Sequence, residues 1–320
     1  MNAGRGKTQG GSQEPPFFHA LCCYTPPMSN LPDIPDLPDG PWPLIGEGLW
    51  SSVHDLGDGS VLKLVRRHGG LGSGESKYFR EAAALGLLGG LSLSAPRLPR
   101  LIASGRFENA YAHSGPPLAG WLRLEKLPGR PIDEGGLYAL KSEERERLGE
   151  EIGAAIARFH EASAALAGEA SKLGSSSLRS IDEALSRIGA PEQRARLERL
   201  KEMLRGEEGT PVLLHGDLNL SNILSARGEA LGFIDFAEAG TGFREEDLRH
   251  FDNPGPMRDA IFRSYAAVSG RAVDMQRFRM SVAVNAAISL AIGGNSGHPR
   301  EAMRRTSFLD EALRQAGIEA

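Results

Sequence analysis

The chain has 320 residues, of which 40% are apolar and 24% charged, with a formal net charge of −4. That length carries a sizeable core in about two domains or one bilobal unit, and the mild acidic balance excludes the basic surface a nucleic-acid binder needs. The two cysteines, Cys22 and Cys23, are neighbours, so they build neither a disulfide framework nor a thiolate metal site, and a reducing cytoplasm is the simplest compartment.

Residues 1–40 differ from the rest. "MNAGRGKTQGGSQEPP" is rich in Gly, Ser, Gln and Pro, and "PPMSNLPDIPDLPDGPWP" repeats Pro every few residues. Neither supports a helix or a strand ladder, so an extended, poorly ordered leader is expected there. The apolar run "FFHALCCY" is too short to span a bilayer and lacks a small-residue cleavage site, so no membrane partner is expected. Met28 is a candidate alternative start, which N-terminal mass spectrometry of the natively expressed protein would decide.

From Leu44 to Val65, "LIGEGLWSSVHDLGDGSVLKLV" reads as three short strands, with turns at Gly46–Gly48 and at Gly57–Gly59. Residues 75–90 place Phe79, Ala82, Ala83 and Leu87 at helical spacing and end in two glycines, a helix with a normal stop. "PRLPRLIASGRF" and "GWLRLEKLPGRP" read as two further strands, the second closed by a Pro-Gly turn. The chain then turns helical, with Leu148, Ile152, Ile156 and Phe159 on one face, a second helix over 192–206, and helices over most of 257–320.

The helical part is interrupted by "VLLHGDLNLSNIL" and "LGFIDFAEAG". Apolar anchors flank His215, Gly216 and Asp217; Asn222 follows five residues after Asp217, and Asp235 thirteen after Asn222. Two short strands pinning three polar side chains at one edge suit phosphoryl transfer, where the protein mainly positions groups and neutralises charge. Asp217 fits the base that orients and deprotonates a hydroxyl. Asn222 and Asp235 offer the hard oxygens that Mg²⁺ takes. Asp and Asn in Gly-containing loops are ordinarily turn formers, and it is the complete spacing that favours chemistry.

"HGDLNLSNIL…FIDFAEAG" resembles the catalytic segment of the aminoglycoside phosphotransferase and choline kinase-like family, relatives of the protein kinases. Gly216 stands where protein kinases carry Arg, and Ala237 where their metal-binding triplet ends in Gly, so the resemblance lies with the small-molecule branch. It covers about residues 44–250 and departs where many relatives carry His-Pro-Gly, here Asn219, Leu220 and Ser221. The resemblance implies a protein-kinase-like bilobal α+β fold. A β-rich N-lobe with one helix would occupy residues 41–126, and a mainly helical C-lobe residues 127–320. It also implies ATP or GTP as co-substrate, Mg²⁺, and a small molecule bearing a hydroxyl as acceptor.

Further roles follow from the same resemblance. Lys63, on the third strand, would contact the α- and β-phosphates. Its strand is apolar on both faces, so Lys63 is a buried cation needing a partner; Glu81 fills that role, with Glu75 the alternative. Gly46 and Gly48 would let backbone approach the phosphates. The Glu125 carbonyl and the Leu127 amide would meet the edge of the base. His215 would prop the catalytic loop rather than act as base, Asp247 would brace that loop through its amides, and His160 would pack nearby.

Glu245, Glu246, Asp247 and Asp252 cluster after the metal segment. They suit either a cationic substrate or a solvated helix start. Two other functional classes compete with a small-molecule kinase. A catalytically silent nucleotide-binding module of the same fold is countered by the presence of Lys63, Asp217, Asn222 and Asp235 together. A protein-directed kinase is countered by the eleven residues between Asp235 and Asp247, little room for a peptide-docking segment.

Overall fold

The computed structural model describes residues 34–68, 72–91, 93–107, 117–207, 209–293 and 299–319. Cys22, Cys23, Met28 and most of the expected leader lie outside them. Strands β1 (Leu44–Glu47), β2 (Ser51–Asp55) and β3 (Ser60–Arg66) precede helix α1 (Gly74–Leu88), and β4 (Leu101–Arg106) and β5 (Leu118–Glu125) follow it. They form one antiparallel sheet in the order β1-β2-β3-β5-β4. Lys63 sits mid-sheet, opposite Val53 on β2 and Leu122 on β5.

The sheet separates two cores because side chains alternate along a strand. Val61 and Val65 share the Lys63 face and join the main core with Tyr78 and Leu85 of α1. Leu62 and Leu64 point the other way, into a small second core with Phe107 and Trp121. Ile34, Leu37 and Trp42 cover that second core. Residues 34–40, expected to belong to an unattached leader, are therefore pinned: their prolines bar regular structure, but the apolar residues between them have a surface to bury against.

The helical lobe starts after β6 (Arg130–Pro131) with α2 (Glu134–Ala139), α3 (Ser142–Ser163), α4 (Ala167–Ala170), α5 (Ser176–Leu185) and α6 (Pro191–Gly206). Strands β7 (Val212–Leu214), β8 (Ile223–Ser225), β9 (Gly232–Phe233) and β10 (Gly240–Gly242) carry the polar motif, and α7 (Pro256–Ser269), α8 (Met275–Gly293) and α9 (Pro299–Gln315) complete the chain. Ile152, Ile156 and Phe159 of the predicted α3 face are fully buried. Helices α3 and α7 pack with their backbones close together, and a Cβ at Gly153 would lie 2.2 Å from the Ile261 carbonyl, so only glycine fits. Phe159 meets Phe233 and Phe236, each with 6.1 Å between ring centroids. The helical core thereby supports the segment around Asp235 from below.

Among the described residues no helix is long and apolar enough to cross a membrane.

Candidate active site

Two short pairings place the polar residues. β8 and β9 pair with Ile223 opposite Phe233, and the Ile234 N–H donates to the Asn222 carbonyl (3.0 Å). Asn222, just before β8, and Asp235, just after β9, thus become neighbours although thirteen residues apart. β7 and β10 pair with Leu214 opposite Gly240, which brings the turn after Asp235 back over the loop that starts at His215. Gly216 lies beneath that turn at φ +84°, where a Cβ would be 2.0 Å from the Glu238 carbonyl. Only glycine can occupy a left-handed position under such a ceiling.

Buried hydrogen bonds fix the loop. Asp247 is fully buried and accepts the backbone N–H of His215 (2.9 Å) and of Gly216 (2.8 Å). His160 Nε2 lies 3.1 Å from the same carboxylate, and its Nδ1 meets the Tyr265 hydroxyl at 3.1 Å. Both ring nitrogens of His215 are committed: Nε2 donates to the Ile234 carbonyl (2.8 Å) and Nδ1 accepts the Asp217 N–H (3.3 Å). Burial lowers its pKa, so the ring is neutral and has no lone pair left for a substrate proton.

The Asp217 carboxylate remains available, 40% exposed. Burial of the group favours protonation, but the nearby His250 and Arg249 outweigh it and hold its pKa down at about 2. His250 Nε2 lies 3.0 Å from Asp217 Oδ1. Asn222 donates through Nδ2 to the Asp217 carbonyl (2.8 Å), which turns its amide oxygen away from the loop.

Across the cleft, Lys63 Nζ bridges two carboxylates, Glu81 Oε2 at 2.6 Å and Asp235 Oδ1 at 2.9 Å. Desolvation opposes its charge, but Asp235 and Glu81 more than compensate, and the ammonium is held above its ordinary pKa. Glu81 is the buried partner, whereas Glu75 pairs with Arg67, at 3.7 Å. Asp235 adopts a left-handed backbone, φ +67° and ψ +71°, a conformation that a non-glycine residue keeps only when its surroundings impose it.

A cavity of about 750 Å³ opens between the lobes, lined by Gly46, Lys63, Glu81, Glu125, Leu127, Asn222 and Asp235 among others. Leu127 lines this cavity beside Glu125, and among the described residues its N–H donates to no backbone carbonyl. Gly48 lies outside this wall. Its N–H donates to the Ser51 carbonyl (2.9 Å) and its carbonyl accepts from Arg66.

No group of three or more His, Cys, Asp or Glu residues among those described could hold a metal ion. Asn222 and Asp235 are a smaller set. Among the described residues the Asn222 amide oxygen and Asp235 Oδ2 both lack a donor, and they are hard ligands of the kind Mg²⁺ combines with waters and phosphate oxygens.

A family model described as the phosphotransferase enzyme family (APH) matches residues 53–273. The chain belongs to this family. Its chemistry is phosphoryl transfer to hydroxyl groups of small molecules. No curated protein matches the sequence. Among solved structures the phosphotransferase is similar to the GDP and kanamycin complex of APH(2")-IIia, with 19% identity, a TM-score of 0.62, and coverage of 90% of this chain and 96% of that one. A putative aminoglycoside phosphotransferase from Ralstonia eutropha JMP134 is 14% identical at a TM-score of 0.60, covering 87% and 93% of the two chains. A macrolide 2'-phosphotransferase type I is 18% identical at 0.54, covering 88% and 92%. At these identities the likeness is one of fold, the kinase-like α+β arrangement expected above.

Three of the four members of the acidic cluster of the phosphotransferase form neither a solvated helix start nor a substrate surface; Asp252 is half-buried. Glu245, Glu246 and Asp247 are all buried. Glu246 accepts the Ser177 hydroxyl (2.5 Å) and the Phe243 N–H (2.8 Å), and Glu245 accepts the Asp274 N–H (3.1 Å). Several residues at the site carried no sequence reading. Lys77 lies four residues before Glu81 and therefore on its face of α1, a signal that helical spacing alone supplies. Glu238, Arg179 and His250 have no such local signal.

Proposed function

We propose that the protein transfers the terminal phosphoryl group of ATP or GTP to a hydroxyl of a small molecule, with Asp217 as the group that meets that hydroxyl. The observation that carries the reading is the Lys63 bridge between Glu81 and Asp235, set at the wall of a cavity that Asn222 and Asp235 share. Lys63 holds the inner phosphates. The Glu125 carbonyl and the Leu127 amide take the edge of the base. Asn222 and Asp235 would hold Mg²⁺, which when bound supplies charge neutralisation on the phosphates.

A carboxylate as acidic as Asp217 is a weak base, and this suits the reaction. Phosphoryl transfer passes through a loose transition state with little bonding to the incoming oxygen. Asp217 therefore orients the hydroxyl first and accepts its proton as the new P–O bond forms. His215 keeps the loop in register, and Asp247 and His160 hold it from behind.

The test is transfer from γ-labelled ATP and, separately, GTP, with Mg²⁺, to a panel of aminoglycosides, macrolides, amino alcohols and sugars. Transfer to one acceptor class, reduced about 10²–10⁴-fold in Asp217→Asn at unchanged nucleotide affinity, is the expected result. Nucleotide binding without transfer to any acceptor would favour a silent binding module, and absence of nucleotide binding would remove the reading altogether.

A further inference from the structure

A second, smaller cavity of about 60 Å³ adjoins the first. Lys63, Asp217 and Asp235 line it on one side, and Lys77, Glu238 and Trp50 on the other. Lys77 is 4% exposed. Its ammonium pairs with Glu238 and lies 4.8 Å from the centroid of the Trp50 ring, on the turn between β1 and β2. A buried lysine usually has a carboxylate that depends on it, but Glu238 is not in that position. Arg80 Nη2 and Arg179 Nη2 also reach its carboxylate, at 3.4 and 3.8 Å, and Glu238 stays neutralised when Lys77 turns away. Lys63, in contrast, is claimed by Glu81 and Asp235 together. Lys77 is thus the cation of this cavity with no fixed structural duty, beside two aspartates where incoming negative charge needs a counter-ion.

We propose that Lys77 binds the terminal phosphoryl group of the nucleoside triphosphate, exchanging Glu238 for it, while Lys63 holds the inner phosphates. The inference rests on the nucleotide reading given under Proposed function, and the experiment separates the two. Calorimetry with Mg-ADP, Mg-GDP and the corresponding β,γ-imido triphosphates is run on wild type, Lys77→Met, Glu238→Gln and Lys63→Met. Lys77→Met is expected to leave diphosphate affinity within about twofold and to weaken the imido triphosphate about tenfold or more, the loss of one charge-assisted contact. Lys63→Met is expected to weaken both ligands. Glu238→Gln removes the competing carboxylate and is expected to tighten the triphosphate several-fold with the diphosphate unchanged; it also decides the matter if Lys77→Met does not fold. Equal effects of Lys77→Met on both ligands, or none, overturn the role of Lys77 and leave the nucleotide site standing. Unchanged triphosphate selectivity in Glu238→Gln overturns it likewise. Wild type that binds no nucleotide overturns both readings.

Discussion

On the helical side of the cleft, the His215 ring and N–H, the Gly216 N–H and the Asn222 amide nitrogen all have partners within the protein, with Asp247 and His160 completing the set behind them. On the opposite side, β1 is largely exposed, and the turn that follows it carries a glycine with no other residue's atoms within 4 Å of where a Cβ would stand. One wall is tightly tied and the other is open, and on the reading proposed above the first serves fixed orientation and the second entry and exit. A charge that develops in a reaction needs dipoles that do not reorganise, whereas a loop over leaving phosphates works by moving.

Substitutions at matched chemistry on the two walls sharpen that contrast. The largest effect is expected for Asp247→Ala, which strands two buried N–H groups and a histidine; chemical denaturation should show a loss of about 3–5 kcal/mol, with activity lost as well. Glu246 comes next, through pH. Burial raises its carboxyl from 4.5 to about 7, against the pull of Ser177. A folded-state carboxyl that keeps its proton longer than the unfolded one makes stability fall as pH rises through that window. Wild type should lose up to about 3 kcal/mol between pH 4.5 and 7, and Glu246→Gln should flatten the slope when melting is followed against pH.

Gly216→Ala forces a left-handed alanine against the Glu238 carbonyl and should cost about 1–3 kcal/mol in backbone strain, more where the turn cannot give way; a lower denaturation midpoint with unchanged slope is the signature. Gly48→Ala is the opposite case. Its φ is not positive and its surroundings are open, so the melting temperature should reflect a change within about 0.5 kcal/mol. A stability loss there as large as that of Gly216→Ala would break the contrast between the walls.

What could be read in advance follows the range of the interactions. His215, Asp217, Asn222 and Asp235 lie within 21 residues, and one hairpin brings them together, so spacing alone was informative. Glu81 was legible because a buried lysine on an apolar strand needs a carboxylate and the next element is a helix. Glu245 and Glu246 were misread because local composition favours water, while Asp274 and Ser177, far along the chain, supply their partners. Residues 34–40 were misread for a related reason: their prolines speak for irregular backbone, not for whether Ile34 and Leu37 have a core to cover. Glu238 gathers Lys77, Arg80 and Arg179 only because β10 closes on β7, a pairing with no sequence signature.

The buried bridge of Lys63 and Glu81 has an evolutionary side. Well-packed apolar residues often replace such a pair without loss and sometimes with a gain of several kcal/mol. Lineages or libraries selected for heat resistance alone would therefore drift toward apolar residues at 63 and 81 and, given the role proposed above for Lys63, toward robust proteins that no longer turn over. A library selected for heat resistance and for phosphoryl transfer in parallel would show whether chemistry holds that ion pair against the pull toward stability.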